Sequence, residues 1–264
     1  MNAAVTLESV DKRYATGTQA LEQIDLSIGR GEFVSIVGPS GCGKSTLLRI
    51  IAGLEQPSNG LVSLSPSAGG AGPLPLSYVF QEPTLMPWAS VFENVWLPLR
   101  LAGHSRAQAR SQILRLLASV GLESFEAAYP HALSGGMKMR VSIARALASA
   151  PELLLMDEPF AALDEMTRER LDLDLLDWWK ERQLTAVFVT HSVYEAVFLS
   201  QRVVVMSGRP GRILEQIQID EPYPRNEGFR LTARYVQCCA QVAAALRRDG
   251  ARRDASPDPE QRDG

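Results

Sequence analysis

Short apolar runs stopped by glycine, separated by stretches with helical spacing, organise this chain. "VTLESV" (5–10) and "IDLSI" (24–28) read as short strands, and "EFVSIVG" (32–38) as a buried strand rich in β-branched residues. A helix is predicted from Lys44 to about Ala52, ended by Gly53. "GLVSLS" and "LSYVF" are further strands, joined by a Gly/Pro/Ser loop over 65–75. From 85 to 150 the texture is mostly helical: "SRAQARSQILRLLASVGL" carries apolar residues at helical spacing up to Gly121. Alternation resumes with a strand at 152–159, a helix from about Asp164 to Arg182, a strand at 185–191, a helix from Ser192 and a strand at 202–208. Strands alternating with helices predict an α/β fold with a largely parallel sheet. The last segment, 247–264, has almost no apolar residues and alternates in charge, which predicts a disordered tail.

Composition narrows the class. The 264 residues, 45% hydrophobic and 22% charged, are ordinary for a globular chain and suit one large domain. A net charge of -3 argues against a broad nucleic-acid surface. No apolar run is long enough to span a bilayer, and the N-terminus lacks the basic start and apolar core of a secretory signal. Three cysteines make no disulfide framework, and Cys238 and Cys239 are placed on a C-terminal helix as small hydrophobes. Together these features predict a soluble protein of the cytosol.

Chemistry concentrates in two stretches. "GPSGCGKST" (38–46) fits G-x-x-x-x-G-K-[ST] between a predicted strand and a predicted helix. Gly38, Gly41 and Gly43, with Pro39, Ser40, Cys42 and Thr46 between and beyond them, form a loop whose backbone N–H groups turn toward phosphate. Lys44 sets a positive charge against the β- and γ-phosphates, and Ser45 offers a hydroxyl to Mg²⁺. A redox role for Cys42 is a minor alternative. "LLLMDEP" (153–159) ends an apolar strand in two carboxylates: Asp157 to support Mg²⁺ and Glu158 to act as general base on the attacking water. Alone, such a turn is as well explained as a solvated acidic corner; the phosphate loop in the same chain changes its meaning. His191, closing "TAVFVTH", is placed either to hydrogen-bond the γ-phosphate or to orient Glu158, and Gln81 to reach the metal or the attacking water.

A second glycine pair opens another predicted helix in "LSGGMKMRVSIARAL" (133–147), with no acid, base or nucleophile beside it. A chain with one phosphate loop needs no second for the same phosphate, so this stretch is read as completing a partner's nucleotide. With it, the ordered set resembles the ATP-binding cassette family over about residues 5–235. "LSGGM" is similar to the family signature, "ALD" (162–164) to its D-loop, Gln81 to its Q-loop and His191 to its switch histidine. Met139 departs from the pattern, standing where many bacterial importers have glutamine.

The resemblance implies a P-loop NTPase core over about 1–84 and 151–246, with an antiparallel N-terminal β portion and a helical signature subdomain over about 85–150. It implies a head-to-tail cassette pair, a homodimer in the simplest case, with each ATP between one chain's phosphate loop and Ser134, Gly135 and Gly136 of the other, and Tyr14 stacked on adenine. "VFQEPTLMPWASVFENVWLPL" (79–99) resembles the segment that meets the membrane permease in nitrate-, taurine- and sulfonate-type importers, with Met86, Pro87 and Trp88 exposed. "MSGRPGRI" (206–213) and 222–236 resemble the same subgroup. The implied activity is ATP hydrolysis, with ATP and Mg²⁺, at the cytoplasmic face of the inner membrane. It would be coupled to uptake of a small solute of nitrate, sulfonate, taurine or thiamine-precursor type through separate permease subunits, with an extracytoplasmic substrate-binding protein as an indirect partner and no nucleic acid. The competing reading is a soluble cassette in DNA repair or translation; such chains usually carry paired cassettes or long coiled coils, and this one has neither.

Overall fold

A computed structural model describes residues 3–67 and 72–254. Two sheets carry the chain. β1 (Ala3–Arg13), β2 (Gln19–Gly29) and β4 (Asn59–Leu64) form an antiparallel sheet in the order β2-β1-β4. The larger sheet has the order β5-β6-β7-β3-β8-β9, from β3 (Phe33–Val37), β5 (Leu76–Val79), β6 (Leu153–Asp157), β7 (Thr185–Val189), β8 (Arg202–Met206) and β9 (Ile213–Gln218). All its pairs are parallel except β8 with β9. The edge strand β9 was not among the elements predicted from sequence. Its residues alternate between exposed and more buried positions, as befits an edge with one face on the core.

The central strands read as unbroken apolar runs because both of their faces are covered. Every residue of β3, β6 and β7 is buried. Alternate side chains enter two cores: Val34, Ile36, Leu153 and Leu155 pack with α1 (Lys44–Ile51) and the small sheet, while Phe33, Leu154, Met156 and Phe188 pack with the helices on the other face. Trp179 of α5 (Glu165–Arg182) meets Phe33 edge-on, with ring centroids 5.9 Å apart.

Between β5 and β6 lie three α-helices: α2 (Val91–Leu101), α3 (Arg106–Ser119) and α4 (Gly135–Ala148). Reciprocal capping boxes at Ser90/Glu93 and Ser105/Gln108 fix the starts of the first two. Asn94, fully buried, ties down the approach to α2. Its amide donates to the carbonyls of Met86, Ala89 and Ser90 at 3.0–3.2 Å and accepts from the Met86 N–H at 2.8 Å. Met139 is buried in α4, as an apolar side chain should be at that position.

The C-terminus departs from the sequence expectation. α6 (Val193–Leu199) and β8–β9 are followed by α7 (Ala233–Asp254), which runs past residue 247, where charge texture predicts disorder. Contacts from Arg248 and Asp249 hold that extension. Arg248 pairs with Glu215 at 2.6 Å, and the Gly208 N–H donates to Asp249 at 2.8 Å. The remainder of that predicted tail, 255–264, and part of the predicted 65–75 loop lie outside the described residues.

One buried charge has a consequence for stability. Asp172, fully buried in α5, bonds Arg230 at 2.6 Å, yet burial and the nearby Glu195 carboxylate push its pKa up to about 8. A carboxyl raised on folding stabilises the fold when protonated, and that contribution is lost as pH rises toward 8. Asp172→Asn keeps an oxygen for Arg230 but cannot ionise. Urea unfolding should therefore show wild type losing stability relative to this variant between about pH 5 and pH 8; a constant difference across that range would refute the assignment.

Candidate nucleotide site

Four neighbouring strands deliver their carboxyl-end loops to one edge of the large sheet, the edge where open α/β sheets bind ligands. The loop after β3 is the phosphate loop. At its close, Gly43 has φ 102°, and a Cβ there would lie 2.7 Å from Leu21 and 2.8 Å from the Ala20 carbonyl. Only glycine satisfies both the backbone angle and the close approach. α1 then starts at Lys44 with no side-chain cap and no acidic residue in its first turn, so its N-terminal dipole faces the loop uncompensated. Lys44 is buried and donates to the carbonyls of Gly38 at 2.9 Å and Pro39 at 3.1 Å.

The loop after β6 carries the carboxylates. Asp157, 6% exposed, accepts from the Ser45 hydroxyl at 2.8 Å and from the Tyr78 hydroxyl at 3.0 Å. Burial and the Asp157 charge raise the Tyr78 pKa, so its phenol stays a donor. Glu158 takes the left-handed conformation, φ 47°, with its N–H bonded to the Val189 carbonyl at 3.0 Å. That geometry costs a non-glycine residue about 1–2 kcal/mol, and here it sets the carboxylate between two other strand ends. One oxygen lies 3.8 Å from Lys44 Nζ and the other 3.4 Å from Nδ1 of His191, which follows β7.

A cavity of about 430 Å³ opens over this edge, lined by Tyr14, Ser40, Gly41, Gly43, Lys44, Ser45, Thr46 and Glu158 among others. Tyr14 is tethered by its hydroxyl to Thr46 at 3.1 Å and Glu55 at 3.3 Å, leaving its ring on the cavity wall. The structure thus brings together Tyr14, the phosphate loop, Asp157, Glu158 and His191. Cys42 is buried within the loop, and burial raises its thiol pKa, which makes it a packing group with little thiolate at neutral pH. Gln81 is not brought to the cavity wall. It follows the edge strand β5, one strand beyond β6, and is exposed; the segment after it is held by Arg145, which donates to the Pro83 and Thr84 carbonyls at 2.9 Å.

Ser134, Gly135 and Gly136 also lie outside that cavity. Ser134 caps α4, its hydroxyl accepting from the Met137 N–H at 3.3 Å, and Ser134 and Gly135 are exposed. Gly136 is buried against α5, where a Cβ would meet the Thr167 methyl at 2.7 Å. Leu163, in "ALD", packs under Gly135, so the signature and the D-loop form one surface.

Sequence reasoning missed Arg209. It stands in the loop after β8, lines the cavity, and donates to the Gly41 carbonyl at 3.2–3.3 Å. The same loop is stitched to β2 by Gly211, whose N–H donates to Ala20 O and whose carbonyl accepts from Glu22 N–H, both at 2.9 Å. The available signal was topological: a basic residue just past a strand predicted to join the same sheet.

The ABC transporter family profile matches residues 21–161. The chain belongs to the ABC transporter family. It is an ATP-binding cassette that hydrolyses ATP, in a P-loop α/β fold. It is 45% identical over 208 residues to the taurine import ATP-binding protein TauB of Rhizobium johnstonii, covering 79% of each chain. It is 42% identical over 226 residues to the aliphatic sulfonates import ATP-binding protein SsuB of Bacillus cereus, covering 84% of this chain and 89% of that protein. A bacterial ABC transporter cassette solved as a dimer is similar, with TM-score 0.72, 33% identity, and coverage of 83% of this chain and 100% of that one. A dimeric post-hydrolysis state of the same cassette, bound to ADP and Pi, gives TM-score 0.70 at 33% identity, with the same coverage.

Charge-assisted hydrogen bonds contribute roughly 1.5–3 kcal/mol each. Removing Arg209 by Arg209→Ala should therefore raise the Kd for a fluorescent ATP analogue about tenfold, and Lys44→Ala should abolish detectable binding or hydrolysis. Wild-type titration curves for Lys44→Ala would refute the assigned loop.

Proposed function

We propose that this cassette works as a head-to-tail homodimer whose ATP-driven closure powers import of a small solute through separate membrane permease subunits. The observation that carries this reading is the separation of the two anion-binding features. The phosphate loop and Glu158 line one cavity, while Ser134, Gly135 and Gly136 sit outside it at an exposed helix start. A second copy supplies what the cavity lacks. Three small residues at a helix start then present backbone N–H groups and the helix dipole to the terminal phosphate from the opposite side. Each ATP bridges two chains, so closure gains several charge-assisted contacts at once.

For hydrolysis, Glu158 takes a proton from water while the water oxygen bonds to the γ-phosphorus and the bond to the ADP oxygen breaks, giving ADP and phosphate. Lys44 neutralises charge on the phosphates, and His191 holds the outer oxygen of Glu158 so that the inner one faces the cavity. The donor set fits Mg²⁺. Ser45 and Asp157 present two hard oxygen ligands facing one another at 2.8 Å. When bound, Mg²⁺ supplies charge neutralisation between the β- and γ-phosphates. Gln81 would join this set only after a movement of the segment that follows β5.

The transport reading is supported by the names of the relatives above and by the surface around α2. Trp88 is 76% exposed in the segment that Asn94 fastens, with Pro87 exposed beside it and Met86 half-buried. An aromatic side chain held out by a rigid loop fits a permanent protein partner. No helix among the described residues is long and apolar enough to cross a membrane, so the membrane path belongs to the permease, with this chain peripheral on its cytoplasmic face and a substrate-binding protein outside. The solute class is sulfonate, taurine, nitrate or thiamine-precursor type. The DNA-repair or translation alternative has no comparable support.

Glu158→Gln should bind ATP and accumulate as a dimer in size-exclusion chromatography with light scattering; a variant that stays monomeric with ATP would sink the sandwich. Ser134→Arg should abolish turnover while leaving nucleotide binding to the monomer within about twofold of wild type, whereas lost monomer binding would place the signature in its own chain's site.

A further inference from the structure

Glu195 is a buried carboxylate outside the lining of the nucleotide cavity, and its two oxygens reach two different elements. One accepts a hydrogen bond from the Thr190 hydroxyl. The other lies 3.4 Å from Nε of Arg168. Its side chain is 7% exposed and Thr190 is 2% exposed.

On the Thr190 side the bonds enclose His191. The Thr190 hydroxyl accepts from the Ser192 N–H at 2.9 Å, the Ser192 hydroxyl accepts from the Glu195 N–H at 3.3 Å, and the Thr190 N–H donates to Ile36 of β3 at 3.2 Å. Both chain neighbours of the histidine are thereby fixed to the strand that ends in the phosphate loop, while the imidazole itself is 56% exposed.

On the Arg168 side the bonds hold the D-loop. Arg168 donates to the Leu163 carbonyl at 2.9 Å and to Glu165 at 3.1 Å. Leu163 is also bonded through its N–H to Phe160 at 3.1 Å, and Ala161 to the Glu158 carbonyl at 3.2 Å, so the loop is a direct continuation of the residue that faces His191. Its side chain supports Gly135 from below.

An ion pair with one buried and one partly exposed member adds little stability, because desolvating the carboxylate offsets much of the attraction. It does impose geometry: one carboxylate fixes two loops at a single separation. We infer that Glu195 is a positioning residue for ATP hydrolysis. Through Thr190 it keeps His191 against Glu158, and through Arg168 it keeps the D-loop and the signature surface in step with them. The inference rests on the roles proposed above for His191 and Glu158.

The test uses the full-length chain and phosphate release at varied ATP. Glu195→Gln keeps an acceptor for Thr190 but loses the charge that Arg168 faces. It should lower kcat about tenfold with KM for ATP within about twofold of wild type, and Arg168→Gln should do the same. The double variant should be no worse than the poorer single variant, since the Glu195–Arg168 pair is already lost in each single variant. Thr190→Val, near-isosteric and uncharged, should also lower kcat at unchanged KM, and it stands in should Glu195→Gln fail to fold. A kcat within about twofold of wild type in the folded variants, losses that multiply in the double variant, or a rise in KM matching any fall in kcat would each overturn the inference. Glu158→Gln, run alongside, separates the two readings. If it too hydrolyses ATP normally, the site assignment is wrong; if it is inactive while Glu195→Gln is normal, only the positioning role fails.

Discussion

Parallel pairing of four adjacent strands is the constraint on which the rest of this molecule depends. In a parallel sheet every strand ends at the same edge, so β6, β7, β3 and β8 place Glu158, His191, the phosphate loop and Arg209 side by side. None of these groups is near another in sequence. The sheet can hold them because it is buried on both faces, which makes each strand's register costly to change. Chemistry at the edge therefore inherits the rigidity of two hydrophobic cores.

Within that frame the strain is local. Glu158 adopts a backbone conformation unfavourable to a side chain, and the bond from its N–H to Val189 on the adjacent strand holds it there. The result is a carboxylate with a lysine on one side and an imidazole on the other. The same loop runs on into the D-loop, which packs under the signature glycines. One short segment thus borders both the nucleotide cavity, through Glu158, and the exposed helix start at Gly135, through Leu163. In the dimer proposed above, coupling between the two needs no long path.

The helices between β5 and β6 serve a different end. They are capped, pinned by Asn94 and packed on the sheet through α4, yet they expose Trp88. The permease contact proposed above needs a fixed, exposed surface. The loop before α2 does so by satisfying its own backbone carbonyls internally.

Sequence by itself determined the elements whose physics is local. Glycine at fixed spacing before Lys44, the apolar run ending in Asp157 and Glu158, and the serine-glycine-glycine helix start each follow from backbone freedom, strand burial or capping within about ten residues. Strand–helix alternation was equally legible and gave the parallel sheet. Tertiary structure alone decided what depends on strand order. It put Arg209 beside Gly41, left Gln81 exposed beyond the edge strand, paired β9 antiparallel to β8, and continued α7 past 247 through contacts with Glu215 and Gly208. It also joined Arg168 to Glu195, 27 positions apart, across the seam between α5 and α6. A periodicity along the chain records how each segment meets its surroundings, but not which segment lies next to it.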